Sequence, residues 1–533
     1  MLLALKKWGL LALFVLVTGC QPAGQAERPA VRHPIVYGLT LMPSGFDPHI
    51  HASSELGIPL RQVYDTLVYR DPTTGEFVPG LATSWTISDD GLDYAFTLRE
   101  GVTFHDGTSF NAQSVASNLD RIIDPATASQ KAVYLLGPYL NYTIVDQYTI
   151  GITLSEPFSP LLDSLSQVYL GMASPATFNQ YSDNRYQFHQ VGTGPFTFEE
   201  YVPGDHITLR RNPNYTWGPA FYAPASGLSV DQIEFRFYED SATRALAVEN
   251  DEVQIMGELP PIDARVLTGN SEVQMMPVNV PGQPLQFLMN TARYPTDNLL
   301  VRQAMLYGAN RNAIADTVFQ RFSPVAWGPL SANNPYYSSE VTGSYATDTS
   351  RAQSLLAEVG YSDSDNNGFL DFSGVELTLD VVVPPWGLIP EVAQMLQDQW
   401  RTLGIRVNLK GVPTRGGLLE AVEQGEYNLV AYYSFGVDPS FLDQFYLTDA
   451  PNNWFNYSNA DLDLLLVNAG REMDPTVRRD LYAQAQRIIM EEALVLPVRD
   501  YVNLNAVSAG LTDLTFDSYG WFPLLHNLRV SGA

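Results

Sequence analysis

Residues 391–409, which read EVAQMLQDQWRTLGIRVNL, decide the fold class of this chain. Up to Leu403, apolar side chains recur at the spacing of one helix face, and Gly404 follows as a helix stop. The inward-facing residues are Val392, Leu396, Trp400 and Leu403. After the glycine, apolar and polar residues alternate from Ile405 to Leu409, which is typical of a strand. The stretch therefore predicts a helix followed directly by a strand.

The same succession of helix and strand signals runs through most of the chain. Residues 93–99 alternate as a strand, Asn111 is placed to cap a helix, and residues 300–318 read as one helix. Ser350 is predicted to cap a further helix, and Asp474, which is followed by proline, to cap a long one. Such alternation predicts an α/β protein with substantial parallel sheet.

The composition restricts the functions open to the chain. It has 533 residues, with 58 acidic against 30 basic side chains and a formal net charge of −28. Binding to nucleic acid and electrostatic docking to anionic lipid both need basic patches, so this balance argues against them. Aromatic residues are plentiful, with 29 Tyr, 25 Phe and 8 Trp, and some are available to line a cleft for an organic ligand.

The N-terminal segment carries the single cysteine of the chain, Cys20. Lys6 and Lys7 precede an uncharged apolar run over 8–17, and small residues lead into the cysteine, which is the pattern of a secretory signal. The run is shorter than the about 20 residues that span a bilayer. A signal that ends in small residues and then Cys resembles the bacterial lipoprotein lipobox. An ordinary signal peptide with a chance cysteine is the alternative interpretation.

The lipobox resemblance implies where the protein resides. We expect residues 1–19 to be a signal peptide, and residues 20–33 to be a lipidated cysteine with a flexible tether, since the tether lacks apolar periodicity. The protein would then be exported to the cell envelope. Lipid on Cys20 would anchor it to the outer face of the cytoplasmic membrane, or the protein would lie in the periplasm.

Motifs for catalysis are missing from the chain, and one loop resembles a calcium site. We find no zinc-protease motif, phosphate-binding loop, nucleophile elbow or thiol nucleophile, which argues against an enzyme. Oxygen-bearing residues occupy the first, third, fifth and ninth positions of a calcium-type loop, at Asp363, Asp365, Asn367 and Asp371. The twelfth position is Gly374 instead of Glu. A tight turn and a structural calcium site are both kept as interpretations.

An ordered set of motifs covers nearly all of residues 35–530. They are VYDTLVYRDP (63–72), PGLATSW (79–85), YAFTLREGVTFHDG (94–107), NLDR (118–121), VGTGPF (191–196), RNPNY (211–215), VRQA (301–304), WRTLGI (400–405) and DP (438–439). Each motif alone is weak, but their order and spacing are specific. The set resembles the solute-binding proteins of ABC importers, in the family 5 type that takes up oligopeptides, dipeptides, nickel complexes and some oligosaccharides.

The resemblance implies a fold and a mode of action. The fold is α/β and two-lobed, of the class II periplasmic-binding-protein-like type, with an extra inserted domain and a ligand cleft between the lobes. Lobe closure captures the solute, with no catalytic step and no cofactor, and a monomer delivers it to ABC permease and ATPase subunits. The expected boundaries are 34–58, 193–278 and 505–533 for lobe I, 59–192 for the extra domain and 279–504 for lobe II.

Candidate ligand contacts are loop and strand-end residues that the resemblance places at the gap between the lobes. They are Ser44, Phe46, Met289, Asn290, Trp386, Tyr432, Tyr433, Phe435 and Asp438. For each of them, core packing or turn chemistry is the competing interpretation. In particular, Asp438 before Pro439 is also the pattern of a helix cap.

One position departs from the pattern of the peptide-binding members. In those relatives an Asp just upstream of the Asp-Pro pair holds the amino group of the ligand. Here that position is Phe435, and residues 429–437 contain no acidic residue. Burying an ammonium without a carboxylate is costly, so the sequence argues against ordinary recognition of a free peptide N-terminus. The hypothesis is a peptide or similar organic solute bound in another way, or an oligosaccharide stacked on aromatic rings.

Two other classes of function are left open by the sequence. A secreted hydrolase that acts on polymers would also be large, acidic and aromatic, but the motifs disfavour it. A receptor that signals without feeding a transporter shares every feature of an import receptor.

The anchor prediction is tested by the variant Cys20→Ser. We expect the variant to bind solute normally but to leave the membrane fraction, because an acidic chain without the lipid has no attraction to an anionic membrane surface. Cell fractionation followed by immunoblotting measures this. A variant that stays in the membrane fraction would show that Cys20 is not the anchor.

Overall fold

The structure, a computed structural model, describes residues 34–181, 183–222 and 228–531. The chain from Pro34 onward forms one unit. Cys20, the signal peptide and the tether lie outside the described residues. In the described part of the chain, no helix combines the length and the apolar character that crossing a membrane requires.

The strands are numbered in chain order. They are Ile35–Leu39 (β1), Val68–Arg70 (β2), Phe77–Pro79 (β3), Ala82–Ile87 (β4), Asp93–Leu98 (β5), Tyr139–Asp146 (β6), Thr149–Leu154 (β7), Phe196–Val202 (β8), His206–Arg211 (β9), Leu228–Ser229 (β10), Gln232–Phe237 (β11), Ile255–Met256 (β12), Val273–Met289 (β13), Asp371–Phe372 (β14), Val375–Glu376 (β15), Thr378–Val383 (β16), Arg406–Gly411 (β17), Leu429–Phe435 (β18), Val495–Ser508 (β19), Leu511–Thr512 (β20) and Arg529–Val530 (β21).

The α-helices are numbered in the same way. They are Ser54–Val63 (α1), Ala112–Ile123 (α2), Ala132–Leu135 (α3), Leu161–Ser166 (α4), Pro175–Gln180 (α5), Asp183–Tyr186 (α6), Ser241–Glu249 (α7), Pro261–Leu267 (α8), Leu299–Tyr307 (α9), Arg311–Thr317 (α10), Thr349–Val359 (α11), Ile389–Arg401 (α12), Arg415–Glu423 (α13), Asp443–Tyr446 (α14), Ala460–Arg471 (α15) and Pro475–Glu491 (α16).

The main sheet has ten strands in the order β17-β16-β18-β13-β19-β12-β1-β11-β9-β8. The two long strands β13 and β19 pair antiparallel at its centre. On one side β16 pairs parallel with both β17 and β18, and on the other side β1 pairs parallel with both β11 and β12. A separate antiparallel sheet has the order β4-β5-β7-β6. The predicted α/β class with parallel strands is confirmed.

Separate hydrophobic cores lie along the two long strands. The first core joins β1, β11, the four-stranded sheet and the C-terminal segment around Trp521. The second core lies within residues 285–498. The pairing of β13 with β19 shifts register between Val280 and Leu285, at the point where the two strands pass between these cores. The predicted lobe boundaries at 278 and 504 fall inside the two strands and stay a prediction.

Close approach of the backbones at this point requires a glycine. Gly282 of β13 pairs with Phe435 of β18 and has φ +149°. A Cβ atom at this position would lie 2.1 Å from the carbonyl oxygen of Ser434, so no side chain fits without moving β18.

The local predictions are mostly confirmed. α12 buries Val392, Leu396 and Trp400 almost completely, and the strand β17 follows it. β5 shows the expected alternation. Asn111 and Asp474 cap α2 and α16 through their side chains.

Two local predictions are wrong. Residues 300–318 form two helices, because α9 ends at Gly308 and the side chain of Asn310 caps α10 by accepting a hydrogen bond from the Ala313 N–H. The cap of α11 is Asp348 instead of Ser350, since its carboxylate accepts the Arg351 N–H, and the helix starts at Thr349, two residues earlier than predicted.

Candidate ligand-binding site

A cavity of about 300 Å³ lies beside β18. It is lined by Trp386, Arg415, Leu418, Leu419, Tyr432, Tyr433, Asn452 and Trp454. Three of the sequence candidates, Trp386, Tyr432 and Tyr433, therefore meet at one cavity. The mixture of aromatic and apolar walls with a few polar groups is typical of a pocket for a small organic molecule.

The cavity walls are set by the end of a strand and the turn before a helix. The first half of β18 is buried, and its second half, from Tyr432 onward, becomes half-buried. Trp386 lies in the turn before α12, where Gly387 has φ +65°. A Cβ atom on Gly387 would lie 2.8 Å from the Tyr433 ring, so the glycine allows this ring to pack against the turn.

The two tyrosines of the cavity belong to different aromatic groups. The ring of Tyr432 lies 5.0 Å from that of Phe445 and 5.2 Å from that of Trp454. The ring of Tyr433 stacks on that of Tyr501 at 5.5 Å. Burial, with a smaller contribution from the Glu258 carboxylate, raises the pKa of Tyr433 to about 12, and burial raises the pKa of Tyr432 as well. Both hydroxyls are therefore protonated at neutral pH and available to donate hydrogen bonds.

Arg415 supplies positive charge to the cavity. It is the first residue of α13, where Thr414 caps the helix by accepting the Gly417 N–H. Its side chain is exposed and forms no ion pair or hydrogen bond with any other residue that the structure describes. An exposed guanidinium next to aromatic walls can pair with an anionic group of a ligand, and it offers two parallel donors to a carboxylate.

Phe435 lies in an aromatic cluster that joins β18, β19 and the C-terminal segment. Its ring is 4.7 Å from Tyr501 and stacks on Trp521 at 5.0 Å. The cluster of Tyr433, Phe435, Tyr501 and Trp521 thus occupies the position at which the resemblance would place a carboxylate. The role of Phe435 in ligand binding stays a prediction.

Three candidates lie in the cores instead of the cavity. Phe46 is fully buried and packs 5.8 Å from both Phe198 and Tyr201. Met289 is fully buried in the second core. Asn290 is 2% exposed, and its side chain is used within the fold, donating to the Tyr427 carbonyl at 3.0 Å. These positions favour the packing interpretation, because their polar groups and surfaces are already occupied.

Two further candidates are also used by the fold. Ser44 is exposed, and its hydroxyl lies 3.3 Å from Nδ1 of His51, outside the cavity lining. Asp438 is buried and forms two hydrogen bonds with Arg478, at 2.6 and 2.8 Å. It also accepts the Ser440 N–H at 3.0 Å as a helix cap. Burial acts to raise the pKa of Asp438, but the Arg478 guanidinium outweighs it and lowers the pKa.

The calcium-like loop is a turn held by its own backbone. Asp363 and Asp365 both accept the N–H of Asn367, at 3.0 and 3.1 Å. Asp371 accepts the N–H and O–H of Ser364, at 2.9 and 2.6 Å. In the part of the chain that the structure describes, no group of three or more His, Cys, Asp or Glu side chains could hold a metal ion. These contacts agree with the tight-turn interpretation, and the calcium interpretation stays a prediction.

Several lining residues escaped the sequence analysis. Arg415, Leu418 and Leu419 come from α13, while Asn452 and Trp454 come from the loop after α14. A cationic residue placed directly after the helix cap Thr414 was the signal available for Arg415. The remaining residues had none, because only the folded chain brings these segments to β18.

Comparisons with known proteins agree with this architecture. The family model for bacterial extracellular solute-binding proteins, family 5 Middle, matches residues 76–456. The glutathione-binding protein GsiB of Escherichia coli O1:K1 is 31% identical over 450 residues, covering 81% of this chain and 82% of that protein.

Solved structures show the same fold. NikA from Brucella suis, in complex with Fe(III)-EDTA, superposes with a TM-score of 0.83 at 22% identity, covering 94% of this chain and 100% of that one. DppA from Helicobacter pylori, in complex with the peptide STSA, gives a TM-score of 0.74 at 24% identity, covering 94% and 98%.

The chain belongs to family 5 of the bacterial extracellular solute-binding proteins. Its fold is the two-lobed α/β fold of these proteins. The resemblance seen in the ordered motifs is confirmed, and the chain is an extracellular solute-binding protein.

The buried Asp438–Arg478 pair gives a test of how this fold is stabilised. We expect Arg478→Ala to lower the free energy of unfolding by about 3–5 kcal/mol, because it leaves the Asp438 carboxylate buried without its partner. Urea titration followed by circular dichroism measures the change. Arg479→Ala is the matched control, since the neighbouring Arg479 is exposed and its removal should change the free energy by less than about 0.5 kcal/mol. Equal effects of the two variants would contradict a structural role for the pair.

Proposed function

We propose that this protein is the receptor of an ABC importer and that it captures a short peptide carrying free carboxylates. The solute enters the cleft, the lobes close over it, and the closed form is presented to the permease and ATPase subunits. No chemical step is involved. Export and a lipid on Cys20 would keep the receptor next to its permease.

The observation that carries the proposal is the unpaired Arg415 at an aromatic cavity. Trp386, Tyr433 and Trp454 provide apolar surface for the body of the solute. The Arg415 guanidinium and the side-chain amide of Asn452 provide donors for a carboxylate. Neither group forms a hydrogen bond with another residue that the structure describes. On a chain with a net charge of −28, an anionic solute needs such a local cation to bind.

The absence of a carboxylate at Phe435 favours a peptide whose amino group is placed unusually. Glutathione is such a peptide, because its glutamate is linked through the side chain and leaves an ammonium and a carboxylate on one carbon. The relative that is 31% identical carries the name glutathione-binding protein. We therefore take glutathione as the first solute to test.

An oligosaccharide is the second candidate. The observation in its favour is the set of aromatic rings at the cavity and in the cluster around Phe435, since sugars stack well on aromatic faces. The unpaired Arg415 weighs against it, because a neutral sugar leaves that charge without a partner.

Calorimetry separates the candidates. The purified full-length protein is titrated with glutathione, with a dipeptide and with an oligosaccharide. We expect heat of binding with glutathione and none with the oligosaccharide. Binding of the oligosaccharide alone would contradict the proposal.

Arg415 gives the residue-level prediction. Arg415→Gln should weaken binding of the anionic peptide by about 10- to 100-fold, which corresponds to the about 1.5–3 kcal/mol of a charged hydrogen bond. Arg351→Gln is the control, because Arg351 is also exposed on the first turn of a helix but lies on α11, away from the cavity. Unchanged affinity of the Arg415→Gln variant would show that Arg415 does not bind the solute.

A further inference from the structure

Glu258 is held in an unusual backbone conformation close to the aromatic cluster. It lies two residues after β12 and has φ +48°, which is the left-handed region that a side chain disfavours. Its N–H donates to Oδ1 of Asn503 at 2.9 Å, and its carbonyl accepts from Nη1 of Arg244 at 2.9 Å. Such a conformation costs about 1–3 kcal/mol and persists only where its surroundings fix it.

The carboxylate of Glu258 is fixed as firmly as its backbone. The hydroxyl of Thr40 donates to Oε2 at 2.5 Å, and the hydroxyl of Tyr501 donates to Oε1 at 2.8 Å. No described cation forms an ion pair with it, because the guanidinium of Arg244 donates to the carbonyls of Tyr238, Glu239 and Glu258 instead. The result is a pre-oriented negative charge without a positive partner.

A positive charge without a partner lies over the same tyrosine. The guanidinium carbon of Arg499 is 4.3 Å from the centre of the Tyr501 ring and 4.4 Å from that of Phe319. Arg499 is only 5% exposed, its Nε has no hydrogen-bond partner, and Nη1 donates one long bond of 3.4 Å to the Asp500 carbonyl. It forms no ion pair with a described residue. Burying a charge in this way costs several kcal/mol unless something pairs with it.

Both charges border the aromatic cluster that leads to the cavity. Tyr501 links them, since Glu258 meets its hydroxyl and Arg499 meets its ring face. Tyr433, which stacks on Tyr501, also lines the cavity that contains Arg415. Glu258 and Arg499 do not line this cavity themselves but contact Tyr501, whose ring stacks on that of Tyr433.

We propose that Glu258 and Arg499 bind the ammonium and the carboxylate of an α-amino-acid group of the solute, beside Tyr501. This inference rests on the proposed function and names the recognition device that replaces the missing acid at Phe435. The solute's second carboxylate then reaches Arg415 in the cavity. Each unpaired charge of the protein gains a partner of opposite sign, and the aromatic cluster excludes water from both contacts.

The test compares ligands that differ only in the ammonium. Glutathione and N-acetylglutathione are titrated into the full-length wild type, as are a dipeptide and its N-acetyl form. We expect acetylation to weaken binding of whichever peptide binds by tenfold or more. In Glu258→Gln, binding of the free peptide should fall to the level of the acetylated one, so that the variant no longer distinguishes the two.

Glu249→Gln is the matched control for Glu258. Glu249 is exposed at the end of α7 and should keep the full discrimination. If wild type binds a peptide but tolerates acetylation, or if Glu258→Gln still discriminates, this inference is wrong while the proposed function stands. If no peptide binds to wild type, the proposed function fails and the inference falls with it.

Arg499→Gln supplies a second measurement that a structural role would not reproduce. Because the variant removes an unpaired buried charge, we expect its melting temperature without ligand to be equal to or above that of wild type. We expect affinity for the free peptide to fall by tenfold or more. A lower melting temperature with unchanged affinity would show that Arg499 only balances Glu258 within the fold and would overturn the assignment.

Discussion

The antiparallel pairing of β13 with β19 is the constraint on which the rest of the structure depends. Both strands run from the first core to the second, and their register shifts between Val280 and Leu285. Side chains near this register shift contact residues from both halves of the molecule. Tyr501 on β19 meets Tyr433 and Phe435 from β18 and Trp521 from the C-terminal segment. A movement of one lobe against the other must change these contacts, which links lobe closure to the site.

The site also contains ionised side chains that form no ion pair. Most buried ions of the protein are paired, as in Arg121 with Asp47 and Arg478 with Asp438. The exposed Arg415, the half-buried Glu258 and the buried Arg499 form no ion pair with a residue that the structure describes. The buried Arg311 likewise forms no ion pair with a described residue, but its guanidinium donates to the carbonyls of Ala326, Ser344 and Tyr345. Arg415 and Arg499 lack such a set of acceptors among the described residues, and a charged solute would supply them.

The sequence predicted the class of the fold and part of the site. Helix caps such as Asn111 and Asp474, and the alternating strand around Phe96, depend on local chemistry and were read correctly. Strand ends pointed to Trp386, Tyr432 and Tyr433, but the same signal also selected Phe46 and Met289, because a strand end inside a core looks identical in sequence. The sequence could not single out Arg415, Glu258 and Arg499, because they lie on three separate segments and the absence of an ion partner is visible only in the fold.

The most direct test of the account is the identity of the solute that the protein carries. Mass spectrometry of whatever is released from the full-length protein, purified without unfolding, gives that identity. The account predicts a short peptide with at least two carboxylates and one free ammonium. An oligosaccharide or a metal chelate as the released solute would contradict it.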